Sequence, residues 1–420
     1  MTNKKIHNFE IGTLNYFVTR AFLVGVTFNA LINVMKRDSW LIPLISIPFD
    51  ILFIFIINKI IDYEPDLNLP QKIIKLFGKT FGKIILSLIS IFIIIMGILN
   101  YLTLNNFIQS QFLTRTPLLA ISILFTITIF YILCKGINVI ARTSNILFFI
   151  NIFLFFVSFS GLISSFELTN LKPMFQSSLP DYLSGINSYY AFHIVPMFLL
   201  TMIPKSSVEK PKIKKTLIIS TIISSITMCA VIFATLSTLG YELTALYEYP
   251  EFHVLKQATI VGASSRIESI LVIQLIFDIF IYCTLIIYMF SNAIKEIFNF
   301  KKINYIYFLG CTLLTIGTVY AAKYNIYVDN LMVNIIPIIA SIFTLLVTLI
   351  TYFKIIFIKK KKTSNQWSFY FFNKKKPTPK AISTIRIISN TIINLLLFFI
   401  LWFIFFNSSK SLWVNPKLDV

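Results

Sequence analysis

The chain is cut into long apolar runs, each close to the length a helix needs to cross a bilayer. Such a crossing takes about 20 predominantly apolar residues. Runs of this kind fall near 13–34, 40–60, 84–108, 118–135, 144–166, 183–204, 216–240, 268–292, 303–322 and 329–357, with an eleventh near 383–407. Hydrophobic residues make up 57% of the chain and charged ones only 13%. No soluble domain buries that much apolar surface, so the expected class is an all-α polytopic membrane protein. The polar start MTNKKIHNFE leads into the first run without a small-residue cleavage site, so that helix is expected to be retained.

The formal charge of +20 suggests nucleic acid at first sight. The basic residues are scattered between apolar runs instead of forming an aromatic-interleaved basic domain, so no nucleic-acid partner is expected. They read better as topology signals. With the N-terminus inside, the internal connections collect Lys72, Lys75, Lys79 and Lys83, then Lys205, Lys210, Lys212, Lys214 and Lys215, then Lys359–Lys362 and Lys374–Lys376. The long external connection 241–267 carries Glu242, Glu248 and Glu251 against Lys256 and Arg266. The internal connection 58–83, with Pro65 and Pro70 ahead of a basic amphipathic stretch, is expected to lie along the inner membrane surface. These signals divide the chain into a ten-helix permease-like domain (1–357), a basic cytoplasmic linker (358–382), and a segment (383–420) holding a further transmembrane helix and a short external tail.

Two runs carry signs of interrupted helix. In Asn187–Pro204, Pro196 lacks an N–H and its ring clashes with the carbonyl of Phe192 in a continuous helix. A freed carbonyl survives at membrane depth only beside protein or a wet cavity. Tyr189, Tyr190 and His193 stand just before this point. Either a discontinuous helix lines a binding site here, or a kinked helix carries interfacial tyrosines. In the first run, Gly25, Thr27 and Asn29 mark a second possible interruption, although glycine also serves close helix packing.

Ionisable residues inside spans are candidate functional groups. Asp278 lies near the middle of the eighth run. It needs a partner, a proton or a wet cavity; a neutral hydrogen-bonded acid that packs helices is the alternative. Arg20 in the first run can snorkel toward the interface. Asp50 follows Pro48 and can cap the turn there. Asn100 and Tyr101 in the third run, with Tyr282 and Thr284 in the eighth, can face the same cavity or make packing hydrogen bonds. Cys134, Cys229, Cys283 and Cys311 have no metal-ligand spacing and read as small apolar side chains. No Walker loop, HExxH or GxSxG is present, and the three histidines, His7, His193 and His253, are widely spaced. Neither an enzyme nor a bound cofactor or metal is expected.

Interruptions in spans one and six split ten helices into two halves of five. That is the arrangement of an inverted repeat, with substrate at the midplane where the broken helices meet. Half-helix N-termini suit a carboxylate and free carbonyls an ammonium group, so an amino acid zwitterion matches both.

Several segments, taken in order, resemble one family. They are Gly25 with Asp38–Trp40, KGINVIAR at Lys135–Arg142, LKP at Leu171–Pro173, IPKSSVEKPKIKK at Ile203–Lys215, and LGYELTALYEYPEFHVLKQ at Leu239–Gln257 with SSRIES at Ser264–Ser269. Over roughly residues 10–355 the chain resembles the B subunits of bacterial spore germinant receptors, the endospore germination permeases of the amino acid–polyamine–organocation superfamily. The resemblance implies a five-plus-five transporter-like fold in the spore inner membrane. It also implies a sensor that binds a small germinant, commonly an amino acid, and acts with a membrane A subunit and a lipoprotein C subunit. Carried onto this chain, the ligand would lie between spans one, three, six and eight, against Gly25, Thr27, Asn100, Tyr190, His193, Asp278 and Tyr282. Arg20 and the eleventh span depart from the family pattern. A proton- or sodium-coupled amino acid or polyamine transporter is the alternative on the same fold, and an assembly subunit without ligand binding is a third reading.

Overall fold

The computed structural model describes residues 5–257 and 267–371. Among them the order is α1 (Asn8–Arg20), α2 (Phe28–Met35), α3 (Ile42–Ile45), α4 (Ile47–Asp62), α5 (Leu69–Phe77), α6 (Lys79–Gln111), α7 (Leu118–Lys135), α8 (Ile137–Leu162), α9 (Leu179–Tyr189), α10 (Ile213–Leu246), α11 (Pro250–Gln257), α12 (Glu268–Phe298), α13 (Ile303–Ala322), α14 (Asn325–Asn334) and α15 (Ile336–Phe371), linked by short 3₁₀ and π turns. Eight helical stretches among the described residues are long and apolar enough to cross a membrane. The two further crossings are shorter: α4, and α9 with the 3₁₀ and π turns that follow it. The eleventh run, 383–407, and the end of the expected linker lie outside the described residues. The described part of that linker, 358–371, continues α15 as helix.

Ten crossings fall into two halves, and each half carries a short helix between its second and third span. In the first half this is α5, in the second α11. The two lie on opposite faces of the bundle, as an inverted repeat requires. α5 begins with a capping box: Asn68 Oδ1 accepts from the Gln71 N–H (3.1 Å), and Gln71 Oε1 accepts from the Asn68 N–H (3.2 Å). It ends at Gly78, whose φ of 79° closes the turn without a Cβ penalty. Lys72 reaches back from α5, buried, and donates to the carbonyls of Ile60 and Ile61 (3.0 Å each), the orphan acceptors at the end of α4.

The face that holds the N-terminus is latched. The Ile6 N–H donates to Ser207 and the Glu209 N–H to Ile6. Asn8 ties the same segment at Glu209, Lys210 and Lys212, and Lys205 pairs with Asp62 at 2.8 Å. On the opposite face Asp38, in the tight turn after α2, receives three consecutive N–H groups, from Phe175, Gln176 and Ser177 (2.7, 2.9 and 3.0 Å). This clamp fixes the loop leading into α9 to the end of the first span.

The two interruptions differ in kind. Between α1 and α2 the chain leaves helical geometry at Val24 (ψ 128°) and Gly25 (φ 73°). A left-handed φ here is open to glycine, and Tyr249 packs so closely that a Cβ on Gly25 would lie 2.9 Å from its ring. In the sixth span no such opening occurs. α9 passes at Tyr190–Ile194 into a π turn and then into 3₁₀ helix over Val195–Met202. The change of pitch absorbs the missing N–H of Pro196, so the backbone coils on through the position expected to open.

Candidate functional site

The opened first span leaves backbone groups to be matched, and neighbouring spans match them. In a regular helix the Ala21 carbonyl would accept from Gly25; here it accepts from Asn100 Nδ2 of α6 at 2.8 Å. The Phe22 carbonyl accepts from both the N–H and the Oγ1 of Thr27 (2.9 and 2.8 Å). The Gly25 carbonyl accepts from Asn29 Nδ2 (3.0 Å). Thr27 and Asn100 therefore hold the break in shape.

One turn before the break, Arg20 points into the bundle. Its guanidinium lies 3.5 Å from Asp278 of α12, and both side chains are 3% exposed. It also contacts the Tyr16 hydroxyl and donates to Asn151 Oδ1 of α8 (3.1 Å). The expected snorkelling of Arg20 is corrected: a buried carboxylate outcompetes the interface, because a guanidinium out of water needs an opposite charge beside it. Gln274, one turn before Asp278, donates to the Asn151 carbonyl and extends the network (3.1 Å). Asn151, Gln274 and Tyr16 were missed in the sequence, since amides and tyrosines in spans are most often packing groups.

His193 is buried against Tyr189, with ring centroids 4.5 Å apart, and contacts Met228 Sδ and Ser225 Oγ of α10. Tyr190 turns toward the second span and packs edge-on against Phe53. Tyr282 packs edge-on against Phe22, which also meets Phe192 of the sixth span (both 5.2 Å). The structure thus brings spans one, three, six and eight together around residues 20–25. Within this cluster, among the described residues, buried donors Arg20 Nε and Asn151 Nδ2 have no hydrogen-bond partner. Nor do the buried acceptors Asn100 Oδ1 and Asp278 Oδ1. Buried polar atoms are normally matched, so these four leave unused hydrogen-bonding capacity of both kinds beside the break. Toward the face opposite the N-terminus, a cavity of about 100 Å³ reaches this break between Gly25, Asn29, Asn106, Glu248, Tyr249 and Asp329. No cluster of three or more potential metal ligands occurs among the described residues.

Comparison with known proteins agrees with this architecture. A family model described as "Spore germination protein" matches residues 13–326. Spore germination protein XB of Bacillus anthracis is 24% identical over 296 residues, which cover 67% of this chain and 81% of that protein. Among solved structures, the transporter Mhp1 of the nucleobase-cation-symport-1 family superposes with a TM-score of 0.57 at 10% identity, covering 83% of this chain and 78% of Mhp1. A mutant of the manganese transporter of Eremococcus coleocola superposes with a TM-score of 0.53 at 14% identity, covering 95% and 94%. Both likenesses are to the transporter fold alone.

Proposed function

The chain belongs to the family of spore germination proteins, and from that premise we propose that it is the membrane-embedded ligand-binding subunit of a germinant receptor. It is an integral membrane protein whose family and fold are those of receptors and transporters. In our reading it sits in the inner membrane of a spore with its N-terminus inside, beside a membrane A subunit and a lipoprotein C subunit. It binds a small germinant, an amino acid in its zwitterionic form, between spans one, three, six and eight.

The observation that carries this reading is the pairing of unmatched donors and acceptors beside the opened first span. Arg20 and Asn151 offer N–H groups to a carboxylate, and Asn100 and Asp278 offer oxygens to an ammonium group. Gly25 and Thr27 shape the floor and Tyr282 forms a wall beyond it, while His193 and Tyr190 lie outside the pocket, turned toward α10 and the second span. The cavity at Gly25 and Tyr249 supplies entry from the face opposite the latched N-terminus. A ligand that prefers one arrangement of spans one and six over another shifts their populations by that difference in affinity, and partner subunits respond to the shift.

Thermal shift of the purified protein across a panel of amino acids tests this. A specific stabilisation, about 2.7 kcal/mol at a hundredfold excess over Kd, lost in Asn100→Ala and Asp278→Asn, supports the site. No shift with the chain alone or in the co-expressed receptor refutes it. A coupled transporter is the second reading, favoured by the fold of its structural neighbours. Uptake of the same amino acid into proteoliposomes, abolished by Asp278→Asn, would select it; binding without flux would select the sensor.

A further inference from the structure

A second pocket lies beside α11. Its polar lining is Glu251 of α11, Ser158 of α8, Thr235 of α10 and Gln274 of α12, with Phe155 and Phe159 among its apolar walls. Its volume is about 40 Å³, room for roughly three water-sized groups. Glu251 is 2% exposed, and neither carboxylate oxygen has a hydrogen-bond partner among the described residues. The backbone N–H groups of Gly25 and of Glu251 itself lie near the carboxylate and favour its ionised form, against the burial that favours the neutral one. Basic residues of the same helix are engaged elsewhere: His253 stacks on Tyr247 at 4.0 Å, and Lys256 lies over the Phe252 ring.

The neutral side chains of this pocket already donate elsewhere. The Ser158 hydroxyl donates to the Leu154 and Phe155 carbonyls, and the Thr235 hydroxyl to the Val231 carbonyl. Gln274 turns its amide nitrogen to the Asn151 carbonyl. Each group keeps oxygen lone pairs able to accept, beside a carboxylate that can only accept when ionised. Once Glu251 is ionised, these oxygens around a buried negative charge favour a cation over an anion.

We propose that this pocket is a binding site for a small monovalent cation of the ammonium type, held by Glu251 with Ser158, Thr235 and Gln274 as neutral acceptors. Three N–H groups on a tetrahedral nitrogen match the several oxygens offered, and the cavity admits an ammonium head with little carbon attached. The site adjoins the midplane network through Gln274, but its charge is that of Glu251 and not of Asp278. It stands or falls independently of the germinant reading. Because Glu251 also faces the opened backbone at Gly25, cation binding here would draw its charge away from the first span.

The test uses the full chain in nanodiscs, at a pH above 8, since burial pushes the Glu251 carboxyl up to about 8. Methylammonium chloride is titrated at constant ionic strength against N-methylglucamine chloride, whose cation is too large, with KCl and NaCl in parallel. A saturable rise in Tm with methylammonium, weakened at least tenfold in Glu251→Gln and several-fold in Thr235→Val, supports the site. A response to potassium or sodium that also needs Glu251 supports it with an inorganic ion as occupant. Glu251→Gln removes an unpaired buried charge, so its Tm without cation stays at or above that of the unaltered protein and the comparison is fair. Equal responses in the two proteins, or no response to any of the three cations, overturn the proposal.

Discussion

Replacing Asp278 with leucine would leave the Arg20 guanidinium buried without its counter-charge. Arg20 and Asp278 are each 3% exposed and 3.5 Å apart, so water cannot take over from the missing carboxylate. Removing one member of such a pair costs about 3–5 kcal/mol, because the survivor remains charged in a low-dielectric setting. That corresponds to roughly a 10²–10⁴-fold fall in the folding equilibrium constant at about 1.36 kcal/mol per tenfold. Contacts from Tyr16 and Asn151 soften the loss, which places the expected value near the lower end, about 3 kcal/mol. The double variant Arg20→Met with Asp278→Leu removes both charges and keeps most of the volume, so it should recover to within about 1 kcal/mol of the starting protein. Arg20→Met alone should cost less than Asp278→Leu alone, because a lone carboxyl can take up a proton while a guanidinium stays charged. Unfolding free energies from denaturant titration in mixed micelles give all four corners of the cycle. If Asp278→Leu costs under about 1 kcal/mol, or the two single effects simply add, the pair is not the buried, mutually dependent unit described.

Other consequences are more local. Gly25→Ala forces a left-handed φ on a residue with a Cβ and drives it against Tyr249, a loss of about 2 kcal/mol in unfolding free energy; a Tyr249→Ala background should relieve the steric part only. Asn100→Leu leaves the Ala21 carbonyl buried without its donor, and the same measurement should fall by about 1–3 kcal/mol. Lys72 has its pKa lowered from 10.5 to about 8, chiefly by burial, against the opposing pull of Asp62 and Glu64. Between those two values the unfolded chain binds more protons than the folded one, so stability rises as pH goes from about 8 to 10.5. The rise is about 3 kcal/mol at most, and a pH series comparing the protein with Lys72→Met should show it vanish in the variant.

Much of the architecture could be read from the runs alone, because span length and the need to match every backbone group leave few folds open. Fine detail was legible only where a residue acts on its own backbone. Pro196 announced a disturbance in the sixth span, but a proline fixes only what cannot bond; whether the chain opens or rewinds depends on its neighbours, and here it rewinds. Gly25 was an ambiguous signal, since glycine also serves packing, and it marks the true opening. Arg20 and Asp278 were each visible, yet a pair separated by most of the chain cannot be read without the fold. Glu251 was counted only as part of an acidic external connection. Its burial follows from α11 packing against α8, α10 and α12, which no local pattern reveals.

The rewound stretch of the sixth span has a mechanical meaning. Helix of 3₁₀ type rises about 2.0 Å per residue against about 1.5 Å for α-helix. Val195–Met202 is eight residues long, so it covers about 16 Å where an α-helix would cover about 12 Å. Rewinding those residues to α pitch would shorten the span by about 4 Å without unfolding it. The far end of the span, Lys205–Ser207, meets the latched N-terminal segment. A change of pitch in the sixth helix would therefore register as a change of distance between its midplane residues and the latch.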